Sequence, residues 1–300
     1  MKTADYARLV TLAAIWGGSF IFMRVLAPAL GPIATADVRV LLAGVVLLAY
    51  FAVTGFSVEW RRHWKNYLVI GFVNSAVPFS LYAYAAGHIP ASYSAIFNSC
   101  APLFGAICGA LWLDEPFTRN RLFGIGFGLL GVVLVSRAGA FTPDAHFVAA
   151  TFACLGAACC YALGGVYIRK FATDTKPAAI AGASQFIGGL VLLPLIPLVP
   201  PPGPFTGLVV ANALALSLLC SAVAYLLYYR LMVDIGPTRS LSVTFLIPGF
   251  GLLWGRLFLG EFITPVMIAG CGLVLIGTWL VTRAAKPSPA PLSIAAQGVK

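Results

Sequence analysis

Asn74, Pro78 and Tyr82 recur at intervals of four residues, as do Ser94, Asn98 and Pro102, then Ser217, Ser221 and Tyr225, then Ser240, Thr244 and Pro248. On a helix this spacing stacks side chains on one face, so each stripe sets an amide or hydroxyl beside a proline or tyrosine. Such groups hold a small molecule through hydrogen bonds and ring faces; they do not break bonds. Two further rings, Trp16 and Tyr161, lie within long apolar runs, where a polar aromatic usually needs a partner. The candidate substrate-binding set is Trp16, Asn74, Tyr82, Asn98, Tyr161, Tyr225 and Thr244. Pro78, Pro102 and Pro248 each remove a backbone hydrogen bond and are candidate hinges, with a static bend as the alternative. No catalytic residue, metal ligand or cofactor is expected. The seven cysteines are scattered, without a C-x-x-C pair or a histidine at zinc spacing. The run Gly126-Phe127-Gly128-Leu129-Leu130-Gly131 fits a dinucleotide pattern, but no strand precedes it, so helix packing is expected there.

The elements that position these residues must be membrane helices. Of 300 residues, 60% are apolar or aromatic and only 9% are charged, with a mean hydropathy of +0.95. That charge is far below the quarter typical of a soluble chain, and the long apolar runs are unlike the short alternating strands of an outer-membrane barrel. Spans are expected near 8–27, 35–54, 66–86, 92–113, 121–137, 147–168, 178–199, 207–230, 239–259 and 265–282. With both termini in the cytoplasm, 15 of the 19 Lys and Arg residues fall on the inner side, as cytoplasmic loops require. Arg24, Arg39, Arg137 and Arg256 remain outside. The net charge of +10 then reports topology and lipid attraction, and implies no nucleic acid. Trp60, Trp64 and Tyr67 are expected to anchor at the interface.

Residues 102–137 and 248–283, set together without gaps, agree at 15 of 36 positions, among them Pro102/Pro248, Gly109/Gly255, Glu115/Glu261, Gly124/Gly270 and Gly131/Gly277. Within one residue, the same register pairs Arg24 with Arg169, Pro32 with Pro177, Gly44 with Gly189, Ser75 with Ser221 and Tyr82 with Tyr228. Five spans per half is an odd number, so the second half enters the membrane from the opposite side. The fold class expected is an all-α polytopic membrane protein of ten helices, as two inverted five-helix repeats at 1–140 and 141–286, with a disordered cytoplasmic tail at 287–300. Inverted repeats are common in secondary transporters, which bind substrate near the midplane and work by alternating access.

The Trp16-Gly17-Gly18-Ser19-Phe20 run, the Asn98…Pro102-Leu103-Phe104 stretch and the Leu113-Asp114-Glu115-Pro116 turn with its Gly-rich following span resemble the EamA family of the drug/metabolite transporter superfamily. The resemblance covers essentially the whole chain as two tandem units. It implies ten spans, a bacterial inner membrane and export of small metabolites. Within the family the chain looks most like the YddG-type aromatic amino acid exporters.

No Asp, Glu, Lys or His is expected in the middle of a span: Glu115 and Glu261 fall in loops, and Asp37 in the first turn of its helix. Intramembrane ionisable groups mark proton relay or charge recognition. Their expected absence favours a substrate that is neutral or zwitterionic and partly apolar, such as an aromatic or large apolar amino acid. A drug or other metabolite is the alternative within this fold, and a channel or intramembrane enzyme is the alternative of another class. The expected partners are that small molecule and membrane lipid; the oligomeric state is not readable.

Overall fold

The computed structural model describes residues 2–137 and 144–283. Among the described residues the regular elements are all helices. The first, α1 (Thr3–Val53), has 51 residues and at 1.5 Å per residue would run about 75 Å, far more than the roughly 30 Å of a bilayer core. It is not one rod. Gly31 interrupts it at φ 70° and ψ 173°, between Pro28 and Pro32. Glycine takes this positive φ without a Cβ penalty, and the two prolines weaken the hydrogen-bond ladder on either side. The first two expected spans are therefore two arms, 3–30 and 32–53, joined by a sharp bend and not by the loop expected at 28–34.

Apart from a single turn at Pro237–Ser240, the remaining elements are α2 (Trp60–His88), α3 (Ala91–Trp112), α4 (Arg119–Ser136), α5 (Ala145–Phe171), α6 (Pro177–Leu198), α7 (Gly207–Ile235), α8 (Val243–Leu259) and α9 (Pro265–Arg283). All but α8 are long and apolar enough to cross a membrane, and α8 is apolar but shorter. With the arms of α1 taken separately there are ten apolar helical segments, close to the expected spans. Both halves carry a π-helical stretch at the equivalent place, Phe72–Ala76 in α2 and Ala215–Val223 in α7. The tail at 287–300 and the junction of the two halves lie outside the described residues.

The glycines of α4 and α9 show how the halves meet. A Cβ on Gly131 would lie 2.7 Å from the carbonyl oxygen of Gly270, and one on Gly270 would lie 3.0 Å from that of Gly131. A Cβ on Gly124 would lie 2.7 Å from the carbonyl oxygen of Gly277, and one on Gly277 would strike that of Gly124 in return. Gly124 and Gly131 are the repeat equivalents of Gly270 and Gly277. Each contact therefore maps onto the other when the halves are exchanged, and the two helices run antiparallel. Between the second arm of α1 and α6 the relation recurs: Gly44 is filled by Phe186, and its equivalent Gly189 by Leu41. Backbones this close need small residues, which also explains the glycine pattern at 126–131: Gly128 and Gly131 pack against neighbouring helices.

At one end of the bundle the connections are tied by ion pairs. Lys176 meets Glu59 at 2.9 Å, Arg62 meets Asp174 at 3.0 Å, and Glu115 takes Arg121 at 2.6 Å and Arg169 at 2.9 Å. Arg8 pairs with Asp234. The connections around 59–62, 115–121 and 169–176, which the cation distribution assigns to one side, are thus tied to one another. Trp60 and Trp64 are exposed there, at 38% and 50%, as interfacial anchors should be, but Tyr67 is fully buried and donates to the carbonyl of Val58 at 2.6 Å. Its expected anchoring role is corrected: the loop at 54–59 folds back over its ring.

Candidate functional site

Two groups of three rings stand at equivalent places in the two halves. Trp16, from the first arm of α1, meets Tyr225 of α7 edge to face, with centroids 6.0 Å apart and planes at 70°, and meets Tyr228 at 5.3 Å. Tyr161 of α5 meets Phe79 of α2 edge to face, at 6.2 Å and 69°, and stacks on Tyr82 at 6.1 Å. In the repeat register Trp16 corresponds to Tyr161, Phe79 to Tyr225 and Tyr82 to Tyr228. Edge-to-face and offset pairs are the favoured aromatic geometries. Trp16 and Tyr161 pack on the buried core yet remain only partly covered, as do Tyr225 and Tyr228. These four side chains are thus half-buried, neither sealed in the core nor fully exposed.

Polar groups border these rings. Tyr82 donates its hydroxyl to Oδ1 of Asn98 at 3.0 Å, and Phe20 stands edge to face with Tyr82 at 5.6 Å. Of the expected set, the structure therefore joins Trp16 with Tyr225, and Tyr161 with Tyr82 and Asn98. Asn74 is half-buried against α5, where a Cβ on Gly164 would meet its Oδ1 at 2.6 Å. That is three residues beyond Tyr161 on the same helix. Thr244 turns its hydroxyl to the carbonyl of Leu241 at 2.8 Å, a bond within its own helix terminus that ties it to none of the others.

The three prolines differ in setting. Pro78 follows the π-helical stretch of α2, but the equivalent stretch of α7 leads into Ala224 without a proline, so the π geometry belongs to the repeat and not to the proline. Pro102 follows a true break: α3 stops at Asn98 and resumes at Ala101, and Thr278 of α9 donates to the carbonyl of Ser99 at 2.8 Å. Pro248 sits buried within the unbroken α8.

One expectation is overturned here. The second arm of α1 begins at the bend, so Arg39 lies about 10 Å along the helix from Pro32 at 1.5 Å per residue, and not at the outer surface. It is 5% exposed. Its guanidinium covers the Phe79 ring at 3.9 Å, and it reaches Oγ of Ser221 at 3.3 Å and Sδ of Met23 at 3.5 Å. Asp37 is 4% exposed, and its Oδ1 has no hydrogen-bond partner among the described residues. The chain therefore does hold buried ionisable groups. The sequence reading missed them because it placed a loop where the structure has a bend.

The two loop glutamates are also built into the fold. Asp114 and Gly260 take the left-handed conformation at φ 54° and 64°, and the glutamate after each folds back over Gly109 or Gly255, where a Cβ would clash. In the second half Glu261 accepts from the N–H groups of Ala91 and Ser92 at 2.6 and 3.0 Å. A carboxylate at a helix N-terminus satisfies free donors and the helix dipole. Glu261 thereby binds the start of α3 in the other half.

Sequence reasoning missed Phe79, Tyr228 and Arg39, and named Ser221 only as part of a polar stripe, outside the candidate set. For Phe79 and Tyr228 the signal was present, since the repeat register carries Tyr225 onto Phe79 and Tyr82 onto Tyr228. For Arg39 it was not, because nothing in the local pattern shows that Phe79 and Met23 cover it.

Comparison with known proteins agrees with this architecture. The model of the EamA-like transporter family matches residues 6–137 and again 148–283. Among relatives, an uncharacterized inner membrane transporter, YedA of Escherichia coli K12, is 25% identical over 299 residues, covering 96% of this chain and 95% of its own. A probable terminal-alkyne amino-acid exporter of Streptantibioticus cattleyicolor is 25% identical over 282 residues, covering 92% of each chain. A solved crystal structure superposes with a TM-score of 0.67 at 17% identity, covering 94% of this chain and 98% of its own, which shows the fold alone.

Proposed function

The chain belongs to the EamA-like transporter family, and from that premise we propose that it is a carrier and not an enzyme, exporting small amphipathic metabolites by alternating access. The preferred cargo is an amino acid with an aromatic or other large apolar side chain. The observation that carries this reading is the matched pair of ring groups, Trp16 with Tyr225 and Tyr228, and Tyr161 with Phe79 and Tyr82. Half-buried rings contributed by both halves suit an apolar side chain, and the amides of Asn98 and Asn74 with the hydroxyl of Tyr82 suit its polar end. An amino-acid exporter among the relatives supports the same class.

In this reading Trp16, Asn74, Tyr82, Asn98, Tyr161, Tyr225 and Thr244 line the substrate path. Pro78, Pro102 and Pro248 are the hinges about which the repeats, 1–140 and 141–286, change places. The protein sits in a bacterial inner membrane with both termini in the cytoplasm, so single cysteines placed at 55–58 or 172–175 should be protected from an impermeant thiol reagent in whole cells. Purified protein in liposomes preloaded with L-phenylalanine, L-leucine or a sugar tests the function itself. A carrier of this class shows saturable, trans-stimulated uptake of the labelled amino acids and none of the sugar. Non-saturating flux would indicate a channel, and sugar exchange without amino acid exchange would refute the cargo.

A further inference from the structure

We infer that Arg39 is the receptor for a carboxylate on the transported molecule. This rests on the proposed cargo site and adds to it the chemical group that the cargo must carry.

A guanidinium cannot shed its charge in a protein and offers five N–H donors. Burying it away from water is costly unless it is paired, and an ionisable group in a membrane helix is by default functional. At Arg39 the compensation is weak. A hydroxyl at 3.3 Å, a thioether at 3.5 Å and the face of Phe79 are what it meets. Among the described residues no carboxylate pairs with it. Asp37 stands two residues away on the same helix, about 200° around the axis, and the two form no ion pair.

The repeat argues against a role in folding alone. The register that aligns Pro32 with Pro177 and Gly44 with Gly189 sets Arg39 against Ser184 and Asp37 against Gly182. The equivalent crossing is built without a charge, and its close packing is otherwise the same, Gly44 on Phe186 mirrored by Gly189 on Leu41. The cation thus breaks the symmetry of rings that are otherwise matched. Its partners come from both halves: Met23 and Phe79 from the first, Ser221 from the second. Phe79, on whose ring it lies, stands edge to face with Tyr161. A carboxylate there would receive the planar fork of donors, with the apolar part of the molecule against the rings.

The test uses pairs of compounds differing only in carboxylate against carboxamide. In liposomes preloaded with L-phenylalanine, uptake of labelled L-phenylalanine is competed by L-phenylalanine or its amide, and by 3-phenylpropanoate or its amide. We expect each carboxylate to compete at least about tenfold better than its amide, the scale of one charge-assisted hydrogen bond. Arg39→Gln should erase that preference. Equal competition by the members of both pairs in the wild type, or an unchanged preference in Arg39→Gln, would overturn the inference. If Arg39→Gln is not recovered folded, or folds but no longer exchanges L-phenylalanine, Arg39→Lys takes its place: loss of the bidentate fork should narrow the preference at least about threefold, and an unchanged preference counts against Arg39. Should the wild type not exchange L-phenylalanine at all, the aromatic cargo fails by itself. The carboxylate is then read from melting temperatures in a series of monocarboxylates and their amides, and the absence of any carboxylate that stabilises more than its amide overturns it.

Discussion

The bond from the Tyr82 hydroxyl to Oδ1 of Asn98 can be weighed by a double-mutant cycle. Tyr82→Phe removes the donor and leaves the shape of the ring; Asn98→Leu removes the acceptor and replaces it with an apolar group of similar size. Tyr82 is 1% exposed and Asn98 half-buried, so the partner left behind in either single variant loses its bond without gaining full hydration. That costs about 1–3 kcal/mol. The double variant leaves no orphan and should be no less stable than the worse single one, giving a coupling near 1 kcal/mol. At about 2.1 cal/mol/K of unfolding entropy per residue, each kcal/mol moves the melting temperature of a 300-residue chain by about 1.5 °C, which is readable on purified protein. The same preparations measured for counterflow separate binding from packing. If Asn98 meets the cargo, uptake at low substrate in Asn98→Leu falls by roughly tenfold or more, beyond what the folded fraction explains. Strictly additive melting shifts would refute the bond, and unaltered flux per folded molecule would refute the placement of Asn98 in the site.

Gly131→Ala and Gly277→Ala place a methyl against the backbone of the facing helix and should each cost about 1–3 kcal/mol and by similar amounts, because the repeat makes them the same site; thermal melting of both checks this, and a large cost at one with none at the other would contradict the symmetry. Glu261→Gln removes the charge that holds the N–H groups of Ala91 and Ser92 and should lower stability by about 1 kcal/mol, again by melting; no change would mean that the contact is idle. Glu59 titrates below its ordinary value of 4.5 because the hydrogen bond and charge of Lys176 favour its ionised form. Its contribution is therefore present above the unfolded pKa and fades as pH falls through the folded one. Lys176→Met should return the Glu59 carboxyl toward 4.5, seen by carbon NMR, and an unmoved titration would exclude Lys176 as the cause.

The sequence by itself determined the solvent, the element type and the repeat. Too few charges to cover a wet surface and apolar runs of span length leave only lipid and helices. The glycine spacing marked where helices pack closely, since only small residues let them approach so near, while the pairing of Gly124 with Gly277 and Gly131 with Gly270 came from the structure. Trp16, Tyr82, Asn98, Tyr161 and Tyr225 could be singled out as candidates because polar or aromatic groups within apolar helices stand out against their surroundings. Only the tertiary structure decided the rest. Gly31 gives a bend where the pattern of Pro28 and Pro32 reads as a loop, because a positive φ can be taken between two helices as readily as inside a turn. That bend carries Arg39 inward, where Phe79, Met23 and Ser221, from 16 to 182 residues away in the chain, cover it. Periodicity reports which residues share a face of one helix. It carries no record of what another helix lays upon that face, and a cation two turns from a helix end reads the same whether lipid headgroups or an aromatic ring receives it.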